Sequence, residues 1–165
     1  MERKSIETVF RALNELEVRY LVAGGLAVLA HGAARLTQDI DLIVALEPDN
    51  AARALQALSR LDYRPLVPVA LEDFARPELR QTWIEEKGAK VFQLVSEAHK
   101  TARVDLFLEE PFDFDATWSR AYWAEVAPGL RVSFVGLDDL IAMKEAAGRP
   151  QDLLDVTNLL RLQGR

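Results

Sequence analysis

The chain has 165 residues, of which half are hydrophobic and 28% are charged, with a formal net charge of −6. This composition predicts one folded domain with a sizeable core, and it excludes a disordered chain. With no cysteine and only two histidines, any bound metal is expected on oxygen ligands, and the acidic balance disfavours non-specific binding to duplex nucleic acid.

The first third of the chain predicts helices alternating with strands. Apolar residues at helical spacing indicate an amphipathic first helix, and short apolar runs indicate buried strands. A Pro-Asp pair stops the second strand and supplies a cap for the next helix. The predicted elements are helix 5–17, strand 20–23, helix 26–34, strand 40–46 and helix 50–60, with Asp49 as the N-cap.

The rest of the chain predicts further strands and two closing helices. Prolines favour loop and short helix over residues 66–80. The elements that follow are strands 91–95 and 103–108, helix 113–123, a turn at Pro128-Gly129, strand 131–135 and helices 137–147 and 150–162. Gly148 suits the end of one helix and Pro150 the start of the next. We therefore predict a single α/β (α+β) domain over residues 1–165, with a small mixed sheet packed by helices.

The longest apolar run, Tyr20 to Ala30, is interrupted by Gly24 and Gly25 and followed by His31. It is much shorter than the ~20 residues that cross a bilayer. The first residues are polar and lead into an amphipathic pattern, which is not typical of a signal peptide. We expect a cytoplasmic protein without membrane contact.

An acidic pair lies in the strand that begins near residue 40. Side chains on a strand alternate between faces, so Asp39 and Asp41 share one face, about 6.6 Å apart, while Ile40 and Leu42 face the core. Two carboxylates so placed repel each other unless a cation lies between them. The spacing suits magnesium ions, although such a pair alone is a weak signal.

Two further features could join this pair in one site. Gly24-Gly25 ends a strand and opens a helix, so its backbone N–H groups are accessible to a phosphate, although a purely structural turn has the same pattern. Asp105 alternates with the apolar Val104 and Leu106 in a later strand. If that strand lies beside residues 40–46, Asp105 completes a three-carboxylate site.

The glycine pair, the Asp-x-Asp strand and the later aspartate together resemble the nucleotidyltransferase superfamily that includes DNA polymerase β. The fuller pattern, from Gly24-Gly25 through His31, Arg35 and Thr37 to Asp39-Ile40-Asp41, resembles AbiEii/AbiGii-type nucleotidyltransferase toxins and their short relatives. The C-terminal stretch 140–155 is similar to that group as well. The resemblance spans roughly residues 18–160 and implies a nucleotidyltransferase-like fold with two C-terminal helices.

The resemblance implies an enzyme that transfers a nucleoside monophosphate from a nucleoside triphosphate, such as ATP, to a hydroxyl. It implies that Asp39, Asp41 and Asp105 are catalytic residues that bind Mg²⁺ or Mn²⁺. It also implies a nucleotide-binding set comprising Gly24, Gly25, Arg35, Thr37, Lys144 and Arg149. The polymerase branch commonly has Gly-Ser where this chain has Gly24-Gly25, so a hydroxyl contact with phosphate is missing here.

Several of these residues have structural interpretations too. Lys144 falls on the apolar face of its helix, where it either contacts phosphate or an active-site acid, or sends its head to water. Arg149 with Asp152 suits an ion pair that caps a helix, and Asp155 suits a structural role. His31 suits packing near the end of the second helix more than catalysis.

The acceptor and partners stay open at this point. The toxin resemblance implies an RNA 3′ end, such as that of tRNA, and a neutralising antitoxin protein. The short, acidic chain equally suits a small-molecule hydroxyl, as in enzymes that adenylylate antibiotics. A non-catalytic nucleotide-binding or interaction module with the same fold is the alternative from another class. A glycosyltransferase using Asp-x-Asp would leave Gly24-Gly25 and Asp105 without a role.

Overall fold

The computed structural model describes residues 1–164, which form seven α-helices, one 3-10 helix (Leu71–Ala75) and seven strands. The helices are α1 (Arg3–Glu15), α2 (Gly24–Ala30), α3 (Pro48–Ser59), α4 (Pro77–Lys87), α5 (Phe114–Ser119), α6 (Leu137–Ala147) and α7 (Pro150–Leu162). The strands are β1 (Tyr20–Val22), β2 (Asp39–Val44), β3 (Arg64–Pro65), β4 (Val91–Val95), β5 (Arg103–Phe107), β6 (Tyr122–Ala127) and β7 (Leu130–Phe134).

The strands form one mixed sheet in the order β3-β4-β5-β2-β1-β7-β6. β2 runs parallel to β5 and β1 runs parallel to β7, whereas the other neighbouring pairs are antiparallel. The predicted fold class, a mixed sheet packed by helices, is confirmed. Because β2 and β5 are neighbours, the acidic residues of two segments far apart in sequence meet in the middle of the sheet.

Alternation of side chains fixes how the two central strands face the core. Ile40 and Leu42 on β2, and Val104 and Leu106 on β5, are fully buried. Burying each such side chain contributes about 1.5–3 kcal/mol, so these residues hold the strands in one orientation. The residues between them must then face the opposite side of the sheet.

The loop and short helix predicted over residues 66–80 are present up to Arg76 and include the 3-10 helix Leu71–Ala75, but the longer helix α4 that follows was not predicted. It begins at Pro77 and continues to Lys87. Pro77 occupies the first helical position, where its missing N–H costs no helical hydrogen bond. This proline therefore starts a helix instead of breaking one.

The predicted helix over residues 113–123 is wrong in its second half. α5 ends at Ser119, and Tyr122 and Trp123 begin β6, which pairs with β7. Their rings pack against Phe134 at 6.4 Å and Trp118 at 5.2 Å between centroids. These tertiary contacts favour the strand over the local helical pattern.

The predicted helix ends agree with the structure at the α6–α7 junction but not at the start of α3. The predicted cap at Asp49 is wrong, because α3 begins at Pro48 and Asp49 lies in its first turn. Gly148 ends α6 in the left-handed conformation and Pro150 opens α7, as predicted. The α6–α7 hairpin is thus set by one glycine and one proline.

None of the helices within residues 1–164 combines the length and the apolar character needed to cross a membrane.

Candidate active site

The parallel pair β2–β5 gathers the acidic side chains. Asp41 lies directly opposite Asp105, and Asp39 lies opposite Arg103. Residues in register on neighbouring strands face the same side of the sheet, so these four charged side chains share one face. The geometric condition that the sequence left open, that the strands bearing Asp41 and Asp105 are neighbours, is met.

Gly24 touches the acidic strand at the start of α2. Its φ is +61°, and a Cβ atom there would lie 1.9 Å from Oδ2 of Asp41. The backbone is also joined to this strand, because the Ala23 N–H donates to the Asp41 carbonyl oxygen at 2.9 Å. Only glycine lets the turn approach this carboxylate so closely.

Gly25 and Thr37 connect the same turn to the segment before β2. A Cβ atom at Gly25 would lie 2.6 Å from the Thr37 Cβ. The Thr37 hydroxyl donates to the Asp39 carbonyl oxygen at 3.2 Å. The glycine pair therefore has a structural role in positioning β2, whatever ligand its N–H groups bind.

We expect Gly24→Ala to destabilise the fold and displace the Asp41 side chain, because the new methyl group cannot occupy the space of Oδ2. Gly88→Ala is the matched control, since Gly88 has the same φ of +61° but no atom within 4 Å of its added Cβ. Backbone strain costs about 1–2 kcal/mol at either site. Thermal unfolding should show a larger loss for Gly24→Ala, and equal losses would refute the contact with Asp41.

The carboxyl group of Asp41 is hard to ionise in the folded protein. Its pKa is raised to about 6, first by burial and then by the negative charges of Asp105 and Asp39, while Lys144 and Arg149 act in the opposite direction. An added cation would relieve this repulsion. The site is therefore electrostatically suited to a positive ligand.

Asp105 has a similar environment. Burial, followed by the charge of Asp39, raises its pKa to about 6, against the opposing effects of Arg103 and Gln93. The residue is only 6% exposed, and its Oδ1 atom has no hydrogen-bond partner. An unsatisfied buried carboxylate oxygen is costly, so it marks a position where a ligand would be favourable.

We expect Asp41→Asn to stabilise the metal-free protein at pH 7.5 but not at pH 4. A carboxyl group whose folded-state pKa is raised binds more protons when folded than when unfolded between about pH 4 and 6, so its contribution to stability falls as pH rises through that window. Asparagine removes this penalty, which we put at about 1–2 kcal/mol after solvent screening. Thermal unfolding in a chelator at both pH values measures it, and an equal difference at pH 4 and pH 7.5 would contradict it.

Arg103 is a site residue that sequence reasoning missed. Its Nη2 atom donates to Oδ1 of Asp39 at 2.8 Å, and its Nε atom lies 3.5 Å from Oδ1 of Asp105. The alternation of β5 was the available signal, because a residue two positions before Asp105 must share its face.

Lys144 is buried in a charged cluster between α6 and α7. Its ammonium donates to Oδ2 of Asp155 at 2.7 Å and lies 3.4 Å from Oδ1 of Asp152, and all three residues are at most 6% exposed. The alternative in which the Lys144 head escapes to water is therefore wrong. The same ammonium acts on the pKa of Asp41, so the cluster lies within electrostatic reach of the acidic residues.

The two arginines of the predicted nucleotide set adjoin this cluster. Arg149 pairs with Asp152 at 2.6 Å, yet its side chain is 77% exposed. Arg35 lies 3.4 Å from Asp155 and is half-buried. His31 is separate: its Nε2 donates a hydrogen bond to the Val135 carbonyl oxygen at 2.8 Å, which is a structural contact. Arg149 thus has the most accessible cationic group of the predicted set.

The comparison of sequences assigns the family. The chain matches the family described as "Nucleotidyl transferase AbiEii toxin, Type IV TA system" over residues 8–165, which is nearly its whole length. The chain belongs to this AbiEii family. No curated protein sequence matches it.

Solved structures with the same fold are nucleotidyltransferases or similar to them. The lincomycin-bound lincosamide antibiotic adenylyltransferase LnuA matches with a TM-score of 0.62 and 13% identity, covering 96% of both chains. The antibiotic-resistance factor ANT(2'')-Ia matches with a TM-score of 0.61 and 14% identity, covering 97% of this chain and 83% of that one. An antigenic nucleotidyltransferase-like protein from Paracoccidioides brasiliensis has a TM-score of 0.54 and 16% identity, covering 98% and 78%. At these identities the likeness shows the fold.

The donor chemistry of this AbiEii-family site fits a divalent cation. Asp39, Asp41 and Asp105 offer only oxygen ligands, which Mg²⁺ and Mn²⁺ prefer, and the unpartnered Oδ1 of Asp105 is one of them. Within residues 1–164, however, no three acidic or histidine side chains already stand at metal-binding spacing. The Arg103 guanidinium contacts two of the three carboxylates, so it fills part of the space between them.

Proposed function

We propose that this chain transfers a nucleoside monophosphate from a nucleoside triphosphate, such as ATP, to a hydroxyl group in the cytoplasm. The observation that carries the proposal is the in-register pairing of Asp41 with Asp105, beside a glycine turn that touches Asp41. Asp39, Asp41 and Asp105 would hold Mg²⁺ or Mn²⁺. When bound, such a cation neutralises phosphate charge and favours ionisation of the attacking hydroxyl.

Asp105 has the properties of a proton acceptor for the attacking hydroxyl. It lies opposite Asp41, and in the metal-free protein burial and the charge of Asp39 raise its pKa to about 6, so this carboxylate is more basic than a free aspartate. The hydroxyl oxygen forms a bond to the α-phosphorus while the bond from that phosphorus to the bridging oxygen of the β-phosphate breaks. The hydroxyl proton passes to Asp105, and pyrophosphate leaves.

We assign binding of the triphosphate to the Gly24-Gly25 turn and to the exposed Arg149. The first N–H groups of α2, at Gly24 and Gly25, lack helical partners and lie beside the acidic strand. Arg149 is exposed and acts on the pKa of Asp41, so its guanidinium suits a phosphate near the carboxylates. Thr37, Arg35 and Lys144 would support these groups through the contacts that fix β2 and α7.

Two kinds of hydroxyl acceptor are compatible with the proposed reaction. Membership of a toxin family supports an RNA 3′ end, such as that of tRNA, together with an antitoxin protein that restrains the activity. The match to LnuA over 96% of both chains, an adenylyltransferase with an antibiotic bound, supports a small-molecule hydroxyl. Both acceptors use the same reaction at the same carboxylates.

A labelling experiment tests the function and identifies the acceptor class. The protein is incubated with Mg²⁺ and each nucleoside triphosphate, labelled on either the α- or the γ-phosphate, with total tRNA or a panel of hydroxyl-bearing antibiotics. The α-label alone should move to one acceptor class. Nucleotide-dependent thermal stabilisation without label transfer to any acceptor would favour the non-catalytic binding module.

A further inference from the structure

Arg103 is the one cation in direct contact with the acidic residues of the proposed site among residues 1–164. It stands opposite Asp39 in the β2–β5 register, two positions from the facing pair Asp41 and Asp105. Because Arg103 and Asp105 are two positions apart on one strand, their side chains project from the same face. Three carboxylates and one guanidinium thus share a surface whose net charge is negative when all are ionised.

The two contacts of this guanidinium are unequal. The one to Asp39 is a charge-assisted hydrogen bond of 2.8 Å. The one to Asp105 is 3.5 Å long, and both of its atoms, Nε of Arg103 and Oδ1 of Asp105, are buried without a hydrogen-bond partner. The arrangement therefore anchors Arg103 to one carboxylate and leaves its contact with the other unsatisfied.

A guanidinium in this place competes with a metal ion for the same atoms. Its partners are one oxygen of Asp39 and one of Asp105, and both belong to carboxylates that the proposed function assigns to the cation. Arginine stays protonated at all physiological pH values, so deprotonation cannot remove its competition with the metal ion. The Arg103 side chain is 40% exposed, which allows it to turn toward solvent instead.

We propose that Arg103 is a built-in counterion of the carboxylates, which holds Asp39 and Asp105 in the metal-free protein and lowers the affinity of the site for divalent cations. This inference rests on the proposed function, since it takes these carboxylates as the cation site. Arg103 is in this sense a positioning residue. It keeps the acidic face folded without metal, and metal binding must displace it.

The test compares Arg103→Gln with wild type in Mn²⁺ titrations followed by electron paramagnetic resonance, with no nucleotide present. We expect the variant to bind Mn²⁺ about tenfold more tightly, because one positive charge within about 4 Å of the ligand atoms is gone. In a chelator the variant should melt at a lower temperature than wild type, and saturating Mn²⁺ should remove that difference.

Two further variants make the result specific. Arg64→Gln removes the same charge from β3, two strands away, where Arg64 is 80% exposed and lies 3.6 Å from Asp62, so its Mn²⁺ affinity should equal that of wild type. Arg103→Lys keeps the charge but cannot bridge two carboxylates, so a tightening of a few-fold is expected. If Arg103→Gln does not fold, the Mn²⁺ affinity of Arg103→Lys tests the counterion role on its own.

The outcomes separate this inference from the proposed function. Equal or weaker Mn²⁺ binding by the Arg103 variants, with binding by wild type intact, would overturn the counterion role and leave the proposed function standing. Absence of Mn²⁺ binding by wild type and by every variant would overturn both. Tighter binding by both Arg103 variants, with Arg64→Gln unchanged, supports the inference.

Discussion

We expect Asp41→Ala to reduce the proposed nucleotidyl transfer by on the order of a thousandfold or more, with the fold retained. Asp41 is the middle carboxylate of the site, opposite Asp105 and in contact with the Gly24 turn. A thousandfold loss corresponds to about 4 kcal/mol of transition-state stabilisation, which is the scale expected when a metal ligand is removed. The fold should survive, because the substitution removes a carboxyl group whose pKa is raised by burial and by like charges.

The control for this loss is Asp62→Asn. Asp62 is exposed, pairs only weakly with Arg64, and has a φ of 63° that asparagine readily adopts. Initial rates with a labelled nucleotide, read beside circular dichroism spectra, should show full activity for Asp62→Asn and a loss on the order of a thousandfold for Asp41→Ala. Activity of Asp41→Ala within tenfold of wild type would refute the assignment of this carboxylate.

We expect Lys144→Met to destabilise the protein by about 3 kcal/mol, which would lower the melting temperature by roughly 10 °C for a chain of this size. The ammonium of Lys144 is 6% exposed and lies between Asp155 and Asp152, both nearly inaccessible. Methionine has a similar volume, but among residues 1–164 it leaves the Asp155 carboxylate in contact with Arg35 at 3.4 Å and with the side-chain amide of Gln151. Breaking one side of a buried ion pair is costly for this reason.

Two variants show whether burial is the cause. Lys100→Met removes an exposed ion pair with Glu97 and should cost less than about 0.5 kcal/mol. Lys144→Met combined with Asp155→Leu removes both charges and should recover more than half of the loss. Chemical denaturation of the four proteins measures these values, and a loss below about 1 kcal/mol for Lys144→Met would show that solvent reaches the pair.

Local sequence patterns predicted which face of each strand carries the aspartates, but not which strands are neighbours in the sheet. The alternation of Asp39-Ile40-Asp41 and of Val104-Asp105 fixes which side chains face the core, and the structure agrees. That β2 pairs with β5 depends on contacts between segments about 60 residues apart, which no local pattern contains. The resemblance to a family supplied that expectation, and the register satisfied it.

The cations were harder to place than the acids. Lys144 could be read as a buried ammonium in need of a partner, but the identity of that partner depends on how α6 and α7 pack. Arg103 was not predicted as a site residue, although its position on β5 places its side chain on the same face as that of Asp105. Its contact with Asp39 requires the parallel register of two strands, so it became visible only with the sheet assembled.

The most direct test of the central claim is a crystal soaked with Mn²⁺ and a non-hydrolysable nucleoside triphosphate, measured at the manganese absorption edge. We expect anomalous density in contact with the carboxylates of Asp41 and Asp105, and a triphosphate beside Gly24 and Gly25. Manganese and nucleotide bound elsewhere, with Arg103 still paired to Asp39 and the three carboxylates unchanged, would contradict it.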